Sequence, residues 1–143
     1  MSADSSTTGP APGNRGWVLV IDDEPGIRRF ALRVLESAGY QSIEAGDGRQ
    51  GLGMVVQQGR EIAAVLMDLS MPGMDARDLV HELRRVDPQL PILVMSGYSD
   101  AEVAEQLDGL GVSDFVHKPF RPRDLMERLE QALSRKTQTG TTP

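Results

Sequence analysis

Cysteine is missing from all 143 residues. Its absence removes disulfides, zinc–thiolate centres and cysteine nucleophiles from consideration. It also fits a reducing compartment, and a cytoplasmic location is the expectation. Histidine is nearly as scarce. His81 and His117 are the two in the chain, and neither has metal-ligand spacing with the other. An excess of basic charge is missing too: 15 Lys and Arg stand against 21 Asp and Glu, for a formal net charge of -6. Nucleic-acid binding asks for clustered Lys and Arg, and an anionic membrane surface asks for the same, so both partners are excluded as expectations. No apolar run approaches the roughly 20 residues of a membrane span. The N-terminal stretch has no apolar core of the signal-peptide kind. No internal repeat is present.

Hydrophobic residues make up 39% of the chain, enough for the core of a single domain of ordinary size. The stretch MSADSSTTGPAPGNRG, residues 1–16, carries too little apolar surface to order itself. It reads as a flexible tail or as linker from a longer protein. Residues 136–143 read the same way, which leaves residues 17–135 as the folded domain.

Within that span, apolar runs of strand length alternate with segments of helical period. Trp17 to Ile21, Ala63 to Met67 and Ile92 to Met95 are continuous apolar runs, as strands buried on both faces require. Gln41 to Ala45 and Ser113 to His117 are more polar and suit sheet edges. Between them, Ile27, Ala31, Val34, Leu35 and Ala38 fall on one helical face. Leu52, Val55 and Val56 do so in the next segment, and Leu79, Leu83 and Val86 in the third. Val103, Leu107 and Leu110 mark a fourth helix, and Leu125, Leu129, Ala132 and Leu133 a fifth. Pro25 and Pro122 suit first helical turns. Ser99 to Glu102 fits a capping box, and Gly39 suits a helix end. The pattern is (βα)5, an α/β fold with a doubly wound parallel five-stranded sheet. Periodicity alone does not select the strand order; the flavodoxin-like order 2-1-3-4-5 is the common small solution.

In such sheets ligands bind at the carboxyl ends of the strands, near the point where strand order reverses. The first strand ends in Asp22-Asp23-Glu24, the third in Asp68, the fourth in Ser96-Gly97 and the fifth in Lys118-Pro119. In the 2-1-3-4-5 order, Asp22, Asp23 and Asp68 converge, with Ser96 and Lys118 beside them. Three carboxylates in one pocket repel one another. A hard cation such as Mg²⁺ relieves the repulsion and neutralises phosphoryl oxygen charge. An Asp carboxylate can then act as nucleophile and form an acyl phosphate. Lys118 supplies a compact positive charge, and Ser96 a hydroxyl donor. Each residue has a plainer reading: acids at a helix start, a capping Asp, a Ser-Gly turn, a surface lysine. All of these must hold at once to dissolve the site.

The segments VLVIDDEP at residues 18–25, VLMDLSMPGMD at 65–75, MSGYSD at 95–100 and VHKPF at 116–120 carry a close resemblance to the receiver domain of two-component response regulators (the CheY-like superfamily). The resemblance spans about Val18 to Leu133. It implies that Asp68 is the phosphoacceptor. Asp23 and Asp68 would bind Mg²⁺ directly, Asp22 largely through water, and the Ser70 backbone carbonyl would complete the protein ligands. Lys118 and Ser96 would hold the phosphoryl group. Ser96 would also be the switch hydroxyl, Phe115 the aromatic that turns inward with it, and the Lys118-Pro119 bond would be cis. The implied partners are a histidine kinase or histidine phosphotransfer domain upstream, and a protein bound by the fourth helix, fifth strand and fifth helix downstream. The implied assembly is a monomer or weak dimer.

Two positions depart from the family pattern. Asp75-Ala76 replaces the usual Asp-Gly, and Phe115 replaces the commoner Tyr. The first touches no catalytic group, and the second keeps the rotamer switch but loses a hydroxyl that could read out to a partner. Ser70 and Tyr98 occupy positions that tune phosphoryl lifetime. The resemblance describes a signalling phosphoacceptor, not an enzyme acting on other substrates. It is either a stand-alone regulator or the receiver of a hybrid histidine kinase. Competing readings are a degenerate receiver acting only as a binding module, an Asp-nucleophile Mg²⁺-dependent phosphatase and a flavodoxin-like cofactor binder. The phosphatase lacks its second acid, since Asp68-Leu69-Ser70 stands where D-x-D is needed. The cofactor binder lacks its phosphate loop, because Asp22-Asp23-Glu24 repels phosphate there.

The remaining polar motifs take plain readings. His81 is expected to face solvent, and His117 to point away from Lys118 by strand alternation. Gly46, Gly48, Gly51 and Gly53 lack phosphate-loop spacing and read as turn and helix residues. Arg28, Arg29 and Arg33 form a basic stripe on the first helix, read as a solvated face or a docking surface for an acidic partner.

Overall fold

The computed structural model describes residues 16–109 and 111–141. In chain order it contains β1 (Trp17–Ile21), α1 (Pro25–Ser37), β2 (Gln41–Ala45), α2 (Gly48–Gln58), a 3₁₀ turn (Gly59–Glu61) and β3 (Ile62–Asp68). These are followed by α3 (Ala76–Val86), β4 (Ile92–Ser96), α4 (Asp100–Leu107), β5 (Asp114–His117) and α5 (Pro122–Thr141). All strand pairs are parallel, and the sheet order is 2-1-3-4-5, the flavodoxin-like arrangement.

Alternate strand residues face opposite sides of a sheet, and each side carries its own half of the core. Leu19, Ile21, Val65, Met67, Ile92 and Val94 pack toward Val55 of α2, Leu79 and Leu83 of α3 and Val103 of α4. Val18, Val20, Ala64, Leu66, Leu93 and Met95 pack toward Ala31, Val34 and Leu35 of α1 and Leu125 and Leu129 of α5. Helices on both faces explain why β1, β3 and β4 are apolar at nearly every position. The edge strands β2 and β5 are only partly covered, which is why their sequences tolerate Gln41, Glu44 and His117.

Helix ends follow their local chemistry. Pro25 opens α1. Gly39 closes it in the left-handed region at φ 95, donating its N–H to the Glu36 carbonyl at 3.1 Å. Ser99 and Glu102 form the expected capping box on α4. Asp75 is the N-cap of α3 and accepts from the Arg77 N–H. Ala76, the departure from the family pattern, is buried in the core behind it. Gly51 has a different role: a Cβ there would lie 2.3 Å from Ile21 Cδ1, so α2 sits on β1 only because the side chain is absent.

Two helix ends differ from the sequence reading. α4 stops at Leu107, and Leu110, which the helical period assigns to it, lies outside the described residues. α5 runs on to Thr141, past Arg135, where the sequence reading ends the folded part. Between Pro122 and Gly140 no proline or glycine interrupts it, and each added residue of a formed helix gains one hydrogen bond. The stretch before Gly16 also lies outside the described residues.

Candidate functional site

β1 and β3 lie side by side at the centre of the sheet, and the chain leaves them in opposite directions, β1 toward α1 and β3 toward α3. The residues at their carboxyl ends are therefore brought together. One carboxylate oxygen from each of Asp22, Asp23 and Asp68 lies within 4.8 Å of the others. Asp22 and Asp68 are buried, while Asp23 is exposed to solvent. Lys118 reaches over from the end of β5. Its Nζ stands 2.9 Å from Asp68 Oδ1 and 3.1 Å from Asp22 Oδ2. It also lies 3.7 Å from the exposed Glu24.

The surrounding backbone holds these groups. The Glu24 N–H donates to Asp22 Oδ1 at 2.9 Å. The Leu69 N–H donates to the Met95 carbonyl at 2.9 Å, tying the turn after Asp68 to β4. The Lys118 N–H donates to the Ser96 carbonyl at 2.7 Å. Ser96 is buried, and its Oγ accepts from the Tyr98 N–H at 2.9 Å. The Lys118-Pro119 peptide is cis, as the resemblance implies.

Electrostatics follow from burial. Desolvation raises the Asp68 pKa above the ordinary carboxylate value. The Lys118 hydrogen bond and charge oppose this, the Asp22 charge adds to it, and a Ser70 backbone N–H opposes it again. Burial works to lower the Lys118 pKa, but its hydrogen bond to Asp68 and its attraction to Asp68 and Asp22 prevail and raise it. One ammonium therefore serves two buried carboxylates, and the site carries an excess of negative charge.

A cation fits that excess. Asp22 Oδ2 is wholly buried and receives no hydrogen bond of good geometry, although Lys118 stands near it. A buried oxygen of this kind calls for a partner, and the acidic cluster is an oxygen-donor set suited to a hard divalent ion. The plainer reading of Asp22-Asp23-Glu24 as a helix start loses ground here. Glu24 occupies the N-cap of α1 but makes no side-chain cap bond.

The profile of the response regulator receiver domain family matches residues 18–130. The chain belongs to that family. Receivers are the phosphoaccepting modules of two-component signalling, they work with histidine kinases or phosphotransfer proteins, and Mg²⁺ and phosphoaspartate are general features of them. Among curated proteins, this receiver is 32% identical over 118 residues to the Sensor kinase CckA of Brucella abortus, covering 82% of this chain and 12% of that one. It is 36% identical over 120 residues to the Probable transcriptional regulator ycf27 of Porphyridium aerugineum, covering 82% of this chain and 48% of that one. The receiver thus spans half or less of these relatives. Among solved structures, a response regulator receiver domain protein from Clostridium thermocellum superposes with a TM-score of 0.80 at 26% identity, covering 87% of this chain and 98% of that one.

The receiver fold brings Asp22, Asp23, Asp68, Ser96 and Lys118 to one end of the sheet. Ser70 lies in the exposed turn after β3, and its backbone N–H faces the Asp68 carboxylate. Phe115 is elsewhere. Its half-buried ring meets the His117 ring edge-on at 5.2 Å and borders a cavity of about 300 Å³ between α4 and β5 with Val103, Leu107 and Val112. His81 and His117 are exposed. Gly48, Gly51 and Gly53 lie within α2.

Sequence reasoning missed two neighbours of the site. Glu24 reaches Lys118, and Arg28 does not belong to a solvated stripe. Arg29 and Arg33 are exposed, whereas the Arg28 side chain is 17% exposed and pinned to Glu44. The only hint in the sequence was that Arg28 falls about a turn and a half after the acids. Its partner Glu44 lies on another strand, and the strand order brings it near.

Proposed function

We propose that this receiver, as a domain of residues 17–135, takes a phosphoryl group from a phosphohistidine donor onto Asp68. The observation that carries this reading is Lys118 Nζ bridging Asp68 at 2.9 Å and Asp22 at 3.1 Å. In this reading an Asp68 oxygen attacks phosphorus in line. The P–N bond of the donor breaks, and its electron pair returns to the imidazole nitrogen. Lys118 leaves its carboxylate partner and takes a phosphoryl oxygen, a move its length and charge permit. Asp22, Asp23, Asp68 and the Ser70 carbonyl would hold Mg²⁺. The bound ion would supply charge neutralisation between the carboxylates and the phosphoryl oxygens.

Ser96 is the switch hydroxyl. It gives up the Tyr98 N–H and donates to the phosphoryl group. Phe115 turns inward from its place beside His117, and the α4–β5–α5 face presents a different surface to a downstream protein. The upstream partner is a histidine kinase or phosphotransfer domain in the cytoplasm. The domain's chemistry is confined to gaining and losing its own phosphoryl group.

Intact mass after incubation with acetyl phosphate and Mg²⁺ tests the reading. A single phosphoryl adduct is expected for the wild type, lost without Mg²⁺ and lost in Asp68→Asn. An adduct that survives Asp68→Asn overturns the assignment of the acceptor. If the wild type forms no adduct and beryllium fluoride causes no Mg²⁺-dependent spectral change, the chain is a binding module without phosphorylation.

A further inference from the structure

The turn after β1 carries Asp22 and Asp23, and its backbone leaves the sheet where β1 and β2 separate. Their last pair is Ile21 opposite Ala45, followed by the Asp22 N–H donating to the Ala45 carbonyl at 3.2 Å. The Asp22 carbonyl comes next and takes its hydrogen bond from a side chain. Arg28 Nη1 donates to it at 2.7 Å. The same guanidinium is held from the other side by Glu44 on β2, with Nε to Oε1 at 2.5 Å. It lies against Gly46, where an added Cβ would stand 3.8 Å from Arg28 Nη1.

Arg28 therefore ties three elements together: the first turns of α1, the end of β2 and the peptide between Asp22 and Asp23. That peptide plane sets the direction from which both acids enter the cluster. A planar guanidinium with several donors in fixed directions can serve two acceptors at once. We propose that Arg28 is a positioning residue for the metal-binding turn: its fork, rather than its charge, sets the peptide that presents Asp22 and Asp23 to the cation. The proposal rests on the reading of the acidic cluster as the Mg²⁺ site.

Charge and positioning predict opposite signs. Removing a positive charge beside three carboxylates strengthens cation binding by electrostatics alone. Removing the support of a ligand-bearing segment weakens it, by roughly tenfold at the low end of what outer partners of metal ligands contribute. The experiment is calorimetric titration of the full chain with Mg²⁺ for the wild type, Arg28→Ala and Arg28→Lys, with amide hydrogen exchange at Glu24 read on the same metal-free proteins. The Glu24 N–H bonds to Asp22 Oδ1 and so reports the turn without any metal.

Both variants are expected to bind Mg²⁺ more weakly than the wild type and to exchange the Glu24 amide faster. The Lys variant recovers little, because it keeps the charge but loses the fork. If Arg28→Ala cannot be folded, Arg28→Lys carries the test by itself. Equal or tighter binding in Arg28→Ala, or wild-type binding in Arg28→Lys, overturns the proposal. A wild type that does not bind Mg²⁺ sinks the metal-site reading instead. The exchange measurement then still decides on Arg28, since an unchanged Glu24 rate in both variants overturns its role.

Discussion

Lys118 Nζ and Asp68 Oδ1 stand 2.9 Å apart at the ends of β5 and β3, with β4 between those strands. The same ammonium lies 3.1 Å from Asp22, so one cation answers two buried anions. Much of the site's behaviour follows from that shortage of positive charge.

Replacing Lys118 with Ala leaves Asp22 and Asp68 facing each other without a cation. Losing one partner of a buried ion pair costs on the order of 3 kcal/mol. Chemical denaturation of metal-free protein is expected to show a loss of that size. Mg²⁺ should restore more stability to Lys118→Ala than to the wild type. Equal Mg²⁺ effects on the two would mean that Lys118 does not balance the acidic cluster.

Asp68 has a raised folded-state pKa, chiefly through burial. The folded state therefore holds its proton more tightly than the unfolded chain does. The associated stability is present below the ordinary carboxylate range and is lost as pH rises through the raised value. Asp68→Asn removes this penalty. Metal-free Asp68→Asn should melt at a higher temperature than the wild type at neutral pH, and the gap should close in acid. A gap that is constant with pH would show that ionisation of Asp68 is not its source.

Ser96→Ala is expected to keep the phosphoryl adduct and lose the change at α4–β5–α5. The Tyr98 N–H loses its partner, but Tyr98 is 39% exposed, so water replaces the bond and stability falls by less than about 1 kcal/mol. Backbone NMR spectra with and without beryllium fluoride would check this. Shifts at Phe115 and in α4 as large as those of the wild type would remove Ser96 from the switch.

Gly51→Ala opposes two effects of known size. Alanine in a helix interior is favoured over glycine by about 1 kcal/mol. Here its Cβ meets Ile21 Cδ1 at 2.3 Å, and Ile21 is fully buried. Overpacking of a tight core costs about 1–3 kcal/mol, so the variant should be destabilised on balance. Because Ile21 precedes Asp22, Mg²⁺ affinity should fall as well. A variant more stable than the wild type would show that α2 can back away from β1.

Much of this was legible in the chain itself. The continuous apolar runs of β1, β3 and β4 announced strands covered on both faces, because only a two-sided core lets four or five consecutive positions avoid water. Asp22, Asp23, Asp68, Ser96 and Lys118 lie at or just past the carboxyl ends of four strands, and parallel strands send all their carboxyl ends to one side. Local hydrogen bonding was equally readable in the Ser99–Glu102 box and the Gly39 stop.

Tertiary structure decided the rest. Periodicity is blind to strand order, so only the sheet puts β1 beside β3 and closes the three carboxylates to within 4.8 Å. It also puts Glu44 beside Arg28, which turns one arginine of an apparent surface stripe into the tether of the acidic turn. The close seat of Gly51 on Ile21 is likewise a contact between elements. Sequence determines what each segment prefers, since period and capping act over a few residues. Which distant charges must share one desolvated pocket depends on how the strands are ordered, and that is set by the packing of both faces of the sheet together.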